Sequence, residues 1–144
     1  MRIVLVCVGK VRRPFEDDVA HYERLLTRHT RLDTVELPES DRDREGAAIL
    51  KRIPPDAHVW ALDRQGRAVS SEDLAALLEQ RRAAGRDLYL VVGGPFGLAD
   101  AVLDRAQERL SLGAVTLPHQ LARVVALEQL FRAHKIVLGQ QYHY

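Results

Sequence analysis

The chain has 144 residues, of which 47% are hydrophobic and 28% are charged, and its formal net charge is +1 at pH 7. This length predicts one domain over residues 1–144, with its own hydrophobic core. No apolar run approaches the ~18 residues that a membrane span needs. Proteins that bind nucleic acid without sequence preference usually carry a larger basic excess. Any RNA contact would therefore use a local basic patch or a larger partner.

The metal-binding residue types form no recognisable cluster in the sequence. Cys7 is the one cysteine, and the six histidines lack the close pairing of a zinc-binding helix. We expect no metal, and we expect Cys7 to be a buried, inert thiol. The first residues read as a strand rather than as the basic start and long apolar stretch of a signal peptide. We therefore expect a cytoplasmic protein.

Residues 2–8 are apolar and rich in β-branched side chains, which predicts a strand covered on both faces. Gly9 ends this strand, and Lys10, Arg12 and Arg13 follow in the next loop. Ligands of open α/β sheets bind at the carboxyl ends of the strands. Two interpretations stay open for this loop, a solvated basic surface and a phosphate contact.

Turn residues and apolar spacing divide the rest of the chain into alternating strands and helices. Pro14 suits a first helical position, and a capping box at Ser70 and Asp73 predicts another helix start. We predict an exposed loop or helix entry over 39–46. The predicted helices are 14–29, 47–53, 70–85, 99–110 and 119–138, and the predicted strands are 31–37 (near a sheet edge), 58–63, 87–92 and 110–117.

This alternation predicts an α/β fold with a mainly parallel sheet flanked by helices. Two glycine-containing loops follow strands, Gly93–Gly97 and Gly113–Pro118. The first lacks both the dinucleotide fingerprint and the Walker A ending, so it is either a plain turn or a backbone approach to a ligand. Together with Leu62, the two loops could form a pocket for a flat, mostly uncharged ligand, as a nucleoside cofactor requires.

The last predicted helix carries polar residues on an otherwise apolar surface. Glu128 and Arg132 are spaced for an i,i+4 pair, which is either structural or part of a site or dimer interface. Arg123 follows the Gly113–Pro118 loop by about one turn, which favours a functional role. Tyr142 and His143 close the chain with a base-stacking and a proton-transferring side chain, although terminal residues are often frayed.

Three stretches of this sequence resemble the RlmH family of ribosomal large subunit pseudouridine methyltransferases, within the SPOUT superfamily. They are Val91–Leu98 (VVGGPFGL), Leu110–Ile136 with its GAVTLPHQLARV segment, and Tyr142–His143. The resemblance extends to Ile3–Lys10 and Ala61–Asp63, so it covers nearly the whole chain. It implies a SPOUT fold with a C-terminal trefoil knot, a feature that periodicity does not reveal.

The resemblance also implies S-adenosyl-methionine as cofactor, bound in the knot, and a homodimer with its sites at the interface. The substrate would be a pseudouridine in helix 69 of 23S rRNA, methylated at N3 on the assembled ribosome. The cofactor positions would be Leu62, Gly93, Gly94, Gly113, Ala114, Val115, Thr116, Leu117 and Pro118.

For catalysis we expect a general base from His143, His119 or Glu128, in falling order. Arg123 would stabilise an anionic ring, and Tyr142 would stack on it. The chain departs from the family where Tyr144 replaces the usual final Arg or Lys, so a basic contact to rRNA is either missing or supplied by Lys10, Arg12 or Arg13. The alternatives are a non-catalytic ribosome-binding relative and another nucleotide-using α/β enzyme.

Overall fold

The computed structural model describes residues 1–142. In this part of the chain no helix combines the length and the apolar character that crossing a membrane requires. The elements in chain order are β1 (Arg2–Val8), α1 (Glu16–Leu26), β2 (Arg31–Leu37), α2 (Arg42–Arg52), β3 (His58–Ala68), α3 (Ser71–Ala84), β4 (Leu88–Val92), α4 (Asp100–Arg105), β5 (Glu108–Ser111) and α5 (His119–Val137).

The five strands form one sheet in the order β2-β1-β4-β3-β5, and every neighbouring pair is parallel. The prediction of an α/β fold with a parallel sheet flanked by helices is therefore confirmed. Because the strands are parallel, their carboxyl ends meet at one edge of the sheet. The loops that follow β1, β3, β4 and β5 are gathered there.

Alternating side chains of the strands build two cores, one on each face of the sheet. Ile3, Leu5 and Cys7 face the core shared with α1, α3 and α5. Val4 and Val6 face the core shared with α2 and α4. Each fully buried large aliphatic side chain contributes about 1.5–3 kcal/mol. This two-sided burial explains why β1 reads as a continuous apolar run.

Several predicted features are confirmed. β2 is an edge strand, paired on one side with β1. The capping box is present at the start of α3, where the Ser70 hydroxyl accepts from the Asp73 N–H and the Asp73 carboxylate accepts from the Ser70 N–H. α5 spans 19 residues and ends next to Gly139, close to the predicted limits.

Residues 39–46 contain the entry of α2, which is one of the two predicted alternatives, but the helix begins at residue 42 and not at the predicted residue 47. Asp41 caps α2, since its carboxylate accepts from the Arg44 N–H at 2.8 Å, and the helix begins at Arg42. Glu45 and Gly46 are buried, because Gly46 packs so closely on Ala99 that an added Cβ would lie 2.7 Å from it. Arg42, Asp43 and Arg44 are exposed, and the run of charged residues gave no apolar periodicity from which to predict the first turn of the helix.

The predicted start of α1 and the boundaries after residue 99 also need correction. α1 begins at Glu16 after a turn in which the Phe15 N–H donates to the Arg12 carbonyl, so Pro14 precedes the helix. α4 ends at Arg105, five residues before the end of the helix predicted over 99–110. β5 begins at Glu108, inside the range predicted as helix, and ends at Ser111.

β3 extends to Ala68, five residues beyond the predicted strand end at residue 63. The strand bends between Leu62 and Arg67, and Gly66 crosses so close to Arg109 that a Cβ would lie 2.6 Å from its carbonyl oxygen. Residues 112–118 leave the sheet instead of extending β5 as predicted, and they run beside the carboxyl ends of β3 and β4.

Candidate active site

A cavity of about 590 Å³ lies at the carboxyl edge of the sheet. Its walls come from the end of β3, the turn after β4, the loop after β5 and the first turn of α5. The lining residues are Leu62, Asp63, Arg64, Val92, Gly93, Gly94, Pro95, Gly97, Leu110, Ser111, Leu112, Gly113, Val115, Thr116, Leu117, Pro118, His119 and Ala122.

The turn after β4 forms one wall, built mostly of backbone. The Gly97 N–H donates to the Gly94 carbonyl at 3.1 Å, and Gly97 adopts a positive φ of 78°. A Cβ on Gly93 would lie 3.0 Å from the Gly97 carbonyl carbon, and one on Gly94 would lie 2.9 Å from the Val8 side chain. Glycine is therefore required for this wall to be so thin.

The loop at residues 112–118 forms the facing wall. The Ser111 hydroxyl fastens its start, since Oγ donates to the Gly113 carbonyl at 2.9 Å and accepts from the Gly113 N–H at 3.2 Å. Gly113 has φ of 132°, a conformation that other residues rarely adopt. Within residues 1–142, the backbone groups of 114–117 make no hydrogen bond, so their donors and acceptors are free for a ligand.

A side-chain contact joins the two sides of the cavity mouth. Arg64 Nη1 donates to Thr116 Oγ1 at 2.7 Å, which links the end of β3 to the loop after β5. The neighbouring Asp63 carboxylate accepts from the Gln65 N–H at 3.3 Å and lines the cavity. The cavity mouth thus contains the guanidinium of Arg64 and the carboxylate of Asp63, and this carboxylate can accept hydrogen bonds from hydroxyl or ammonium groups of a ligand.

His119 is the first residue of α5 and lines the cavity. Its Nε2 atom is buried and has no hydrogen-bond partner within residues 1–142. The nearest carboxylate oxygen is Glu39 Oε1 at 3.6 Å, and Glu39 also pairs with Arg12 at 3.2 Å. This places an imidazole that can exchange a proton at the cavity wall.

Arg123 lies one turn further along α5 but does not line the cavity. Its guanidinium is buried, and Nη1 donates to Glu36 Oε2 at 2.6 Å. Burial alone would raise the pKa of Glu36, but hydrogen bonds from Arg123 and from the Val11 N–H outweigh it and lower the pKa overall. This pair ties the start of α5 to the edge strand β2.

Glu128 and Tyr142 also lie outside the cavity lining. The predicted pair between Glu128 and Arg132 is present at 3.0 Å. Arg132 packs over the Tyr142 ring, 4.4 Å from its centroid. Burial first, and then the negative charge and hydrogen bond of Glu128, raise the pKa of Tyr142 to about 12. His143, the first choice as general base, lies outside the described residues.

The cavity therefore brings together most of the predicted site. Leu62, Gly93, Gly94, Gly113, Val115–Pro118 and His119 line it, whereas Ala114 is exposed at its loop without lining the cavity. Sequence reasoning missed Asp63, Arg64 and Ser111. Asp63 and Arg64 immediately follow Leu62 at the predicted strand end, and that position was the available signal. Among residues 1–142, no group of three or more His, Cys, Asp or Glu side chains is arranged to hold a metal ion.

The comparisons with known proteins agree over nearly the entire chain. The family described as "Predicted SPOUT methyltransferase" matches residues 1–143. A protein from Rubrobacter xylanophilus named ribosomal RNA large subunit methyltransferase H is 45% identical over 155 residues, covering 99% of this chain and 98% of the relative. Relatives of the same name from Listeria monocytogenes and Bacillus pumilus are 42% and 37% identical, with 99% of both chains covered in each case.

The family match, the full-length relatives and the cavity bordered by the glycine turn and the 113–118 loop lead to one assignment. The chain belongs to the SPOUT methyltransferase family and, within it, to the RlmH family.

Proposed function

We propose that the protein is an S-adenosyl-methionine-dependent methyltransferase that modifies 23S rRNA. The acceptor is N3 of a pseudouridine in helix 69, on the assembled ribosome. The observation that carries the proposal is the cavity at the carboxyl edge of the sheet, walled by the backbone of the 113–118 loop, in a chain whose full-length relatives are named ribosomal RNA large subunit methyltransferase H.

The residues at this cavity fit S-adenosyl-methionine. Its volume of about 590 Å³ lies within the range of small-molecule sites. The free backbone groups of 114–117 suit the polar edge of an adenine, and Leu62 and Leu117 suit its faces. Asp63 can accept hydrogen bonds from ribose hydroxyls or from the ammonium of the methionine part. When bound, this cofactor supplies a methyl group on a sulfonium, and the leaving group is a neutral thioether.

The chain itself must hold the acceptor nitrogen in line and remove its proton, because N3 of pseudouridine carries hydrogen. A positioned base contributes about 10²–10⁴-fold to such a step. His119, at the cavity wall with a free Nε2, is one candidate. His143 remains the first candidate from the sequence. Glu128 is engaged by Arg132 and Gln129, and Arg123 is engaged by Glu36.

We also propose that the protein acts as a homodimer with a C-terminal trefoil knot. Phe96 and Val115, on the two loops that border the cavity, are 69% and 70% exposed, which leaves apolar surface for a second copy. Tyr142 packs on Phe131 and Arg132, away from the cavity of its own chain. In a dimer, the end of one chain would reach the cavity of the other.

The substrate and location follow from the same assignment. A net charge of +1 gives these 144 residues little overall attraction for RNA phosphates, so we expect weak binding to naked rRNA and stronger binding to ribosomes. The place of action is then the cytoplasm. Similar activity on naked rRNA and on ribosomes would contradict this part of the proposal.

The alternative is a non-catalytic SPOUT relative that binds ribosomes, favoured by Tyr144 in place of the usual basic residue. Calorimetry with S-adenosyl-methionine, followed by methyl incorporation into ribosomes, separates the two functions. We expect both saturable cofactor binding and transfer of label to 23S rRNA. Ribosome binding without cofactor binding or transfer would favour the alternative.

A further inference from the structure

The loop at residues 10–14, between β1 and α1, carries three exposed cationic side chains, Lys10, Arg12 and Arg13. Arg12 forms an exposed pair with Glu39, in which its side chain remains 65% accessible. Within residues 1–142, neither Lys10 nor Arg13 forms an ion pair with a carboxylate. Lys10 is close enough to Glu36 to help lower the pKa of that carboxyl, but Glu36 already pairs with Arg123, so the ammonium of Lys10 and the guanidinium of Arg13 both remain available to a ligand.

The backbone of this loop is held by side chains from two other elements. Gln120 of α5 makes two hydrogen bonds to it, since Oε1 accepts from the Arg12 N–H at 2.9 Å and Nε2 donates to the Lys10 carbonyl at 2.8 Å. Glu36 of β2 accepts from the Val11 N–H at 2.8 Å. These three hydrogen bonds fix the position of the loop backbone, while the side chains of Lys10 and Arg13 remain exposed.

These contacts place the loop beside the cavity. Gln120 directly follows His119, which lines the cavity, and Arg12 and His119 approach the same carboxylate of Glu39. A ligand chain that passes Lys10 and Arg13 would thus run along the rim formed by the start of α5. Cationic side chains on a fixed backbone are the usual means of placing a nucleic acid through its phosphates.

From this arrangement we infer that Lys10 and Arg13 contact the phosphate backbone of RNA, and that Gln120 holds them in position relative to the cavity. The inference rests on the proposed function for the identity of the RNA. It adds the surface by which the substrate is held and a positioning role for Gln120. Lys10 and Arg13 act on affinity and placement, and they take no part in methyl transfer.

The test measures the binding of fluorescently labelled full-length protein to 70S ribosomes across a series of salt concentrations. Each lost phosphate contact lowers the slope of log affinity against log salt by about 0.7–0.9. We expect the double variant Lys10→Gln/Arg13→Gln to bind more weakly and to lose about 1–2 units of slope. The matched control is Lys51→Gln/Arg52→Gln, which removes the same charges from the last turn of α2, before the amino end of β3.

Gln120→Leu tests the positioning role, because it removes both hydrogen bonds and no charge. We expect weaker ribosome binding and a salt slope below that of the wild type, because displaced cationic side chains lose phosphate contacts. Wild-type affinity and slope in Gln120→Leu would refute the positioning role. Thermal unfolding and calorimetry with S-adenosyl-methionine check that each variant is folded and retains its cavity. The inference is overturned if Lys10→Gln/Arg13→Gln matches the wild type in affinity and slope, if the α2 control loses as much, or if the wild type does not bind ribosomes. Absence of cofactor binding by the wild type would instead refute the proposed function, since ribosome binding is measured without turnover.

Discussion

Arg123 on α5 and Glu36 on β2 form a hydrogen-bonded ion pair, with 2.6 Å between Nη1 and Oε2. The arginine side chain is 5% exposed and the glutamate side chain 30%. Glu36 also accepts from the Val11 N–H. One carboxylate therefore joins the edge strand, the loop after β1 and the helix that begins at the cavity.

Removing the carboxylate should destabilise the protein, because it leaves the buried guanidinium without its partner. We expect Glu36→Gln to lower the free energy of unfolding by about 2–4 kcal/mol, measured by urea denaturation. Asp104→Asn is the control, since its pair with Arg109 is exposed and should change the free energy by less than about 1 kcal/mol. If the two substitutions lower the free energy of unfolding equally, the Arg123–Glu36 pair stabilises the protein no more than the exposed Arg109–Asp104 pair does.

The same pair predicts a pH dependence of stability. The folded-state pKa of Glu36 lies below its ordinary value of 4.5, so its stabilisation is fully present above that value. It is lost as the pH falls through the lower, folded-state pKa. The difference in unfolding free energy between the wild type and Glu36→Gln should therefore shrink below about pH 4.5. A difference that stays constant over this range would contradict the assignment.

Gly113 should be required for cofactor binding in a way that Gly85, which lies outside the cavity lining, is not. Its φ of 132° and that of Gly85, 78°, both disfavour side chains, and an added Cβ would meet no atom within 4 Å at either position. We expect alanine at each position to cost about 1–2 kcal/mol of stability. Only Gly113→Ala should also weaken S-adenosyl-methionine binding, by about tenfold or more, measured by calorimetry. Equal cofactor affinities in the two variants would separate Gly113 from the site.

Arg64 should stabilise the bound cofactor by holding the cavity mouth. Its hydrogen bond to Thr116 is worth about 0.5–1.5 kcal/mol, so Arg64→Gln should raise the dissociation constant of S-adenosyl-methionine about 2- to 12-fold. Thr116→Val should have a similar effect, and the double variant should add little to either. Arg67→Gln, on the same strand but paired with Glu108, serves as the control. A fully additive double variant would mean that the two side chains act separately.

The two candidate histidines should be separable by their effects on turnover. We expect His143→Ala to abolish methyl transfer while leaving cofactor affinity unchanged, because the side chain is needed for the proton and not for the cofactor. His119→Asn should lower turnover less and should also weaken cofactor binding, since His119 lines the cavity. His21→Asn, on an exposed position of α1, controls for the loss of an imidazole. Near-normal turnover in His143→Ala would remove His143 from the mechanism.

The sequence predicted β1, β2 and β4 well, whereas the end of β3 and the bounds of β5 were wrong. β1 and β4 are covered on both faces and read as continuous apolar runs, and the Ser70 capping box marks the start of α3. The first turn of α2 was left open between a loop and a helix entry, because its helical signal lies in the Asp41 cap and in the close contact of Gly46 with Ala99. The first signal is weak in a charged stretch, and the second exists only in three dimensions.

The sequence predicted the two loops that border the cavity, but it did not predict the hydrogen bonds between side chains around them. Glycine turns at strand ends have a direct steric meaning, so the two loop walls were found from sequence. The partnership of Arg64 with Thr116 spans 52 positions, and that of Arg123 with Glu36 spans 87. No spacing rule connects residues so far apart. The burial of Arg123, one turn into α5, is explained by its ion pair with Glu36, which is visible only in the structure.

The central claim is that this protein places a methyl group on a pseudouridine of 23S rRNA. The most direct measurement is mass spectrometry of nuclease fragments of 23S rRNA from ribosomes that lack the modification, before and after incubation with the protein and S-adenosyl-methionine. The account predicts one added methyl group, on the helix 69 fragment, at N3 of a pseudouridine. Unchanged fragments, in the presence of protein that binds both cofactor and ribosomes, would contradict it.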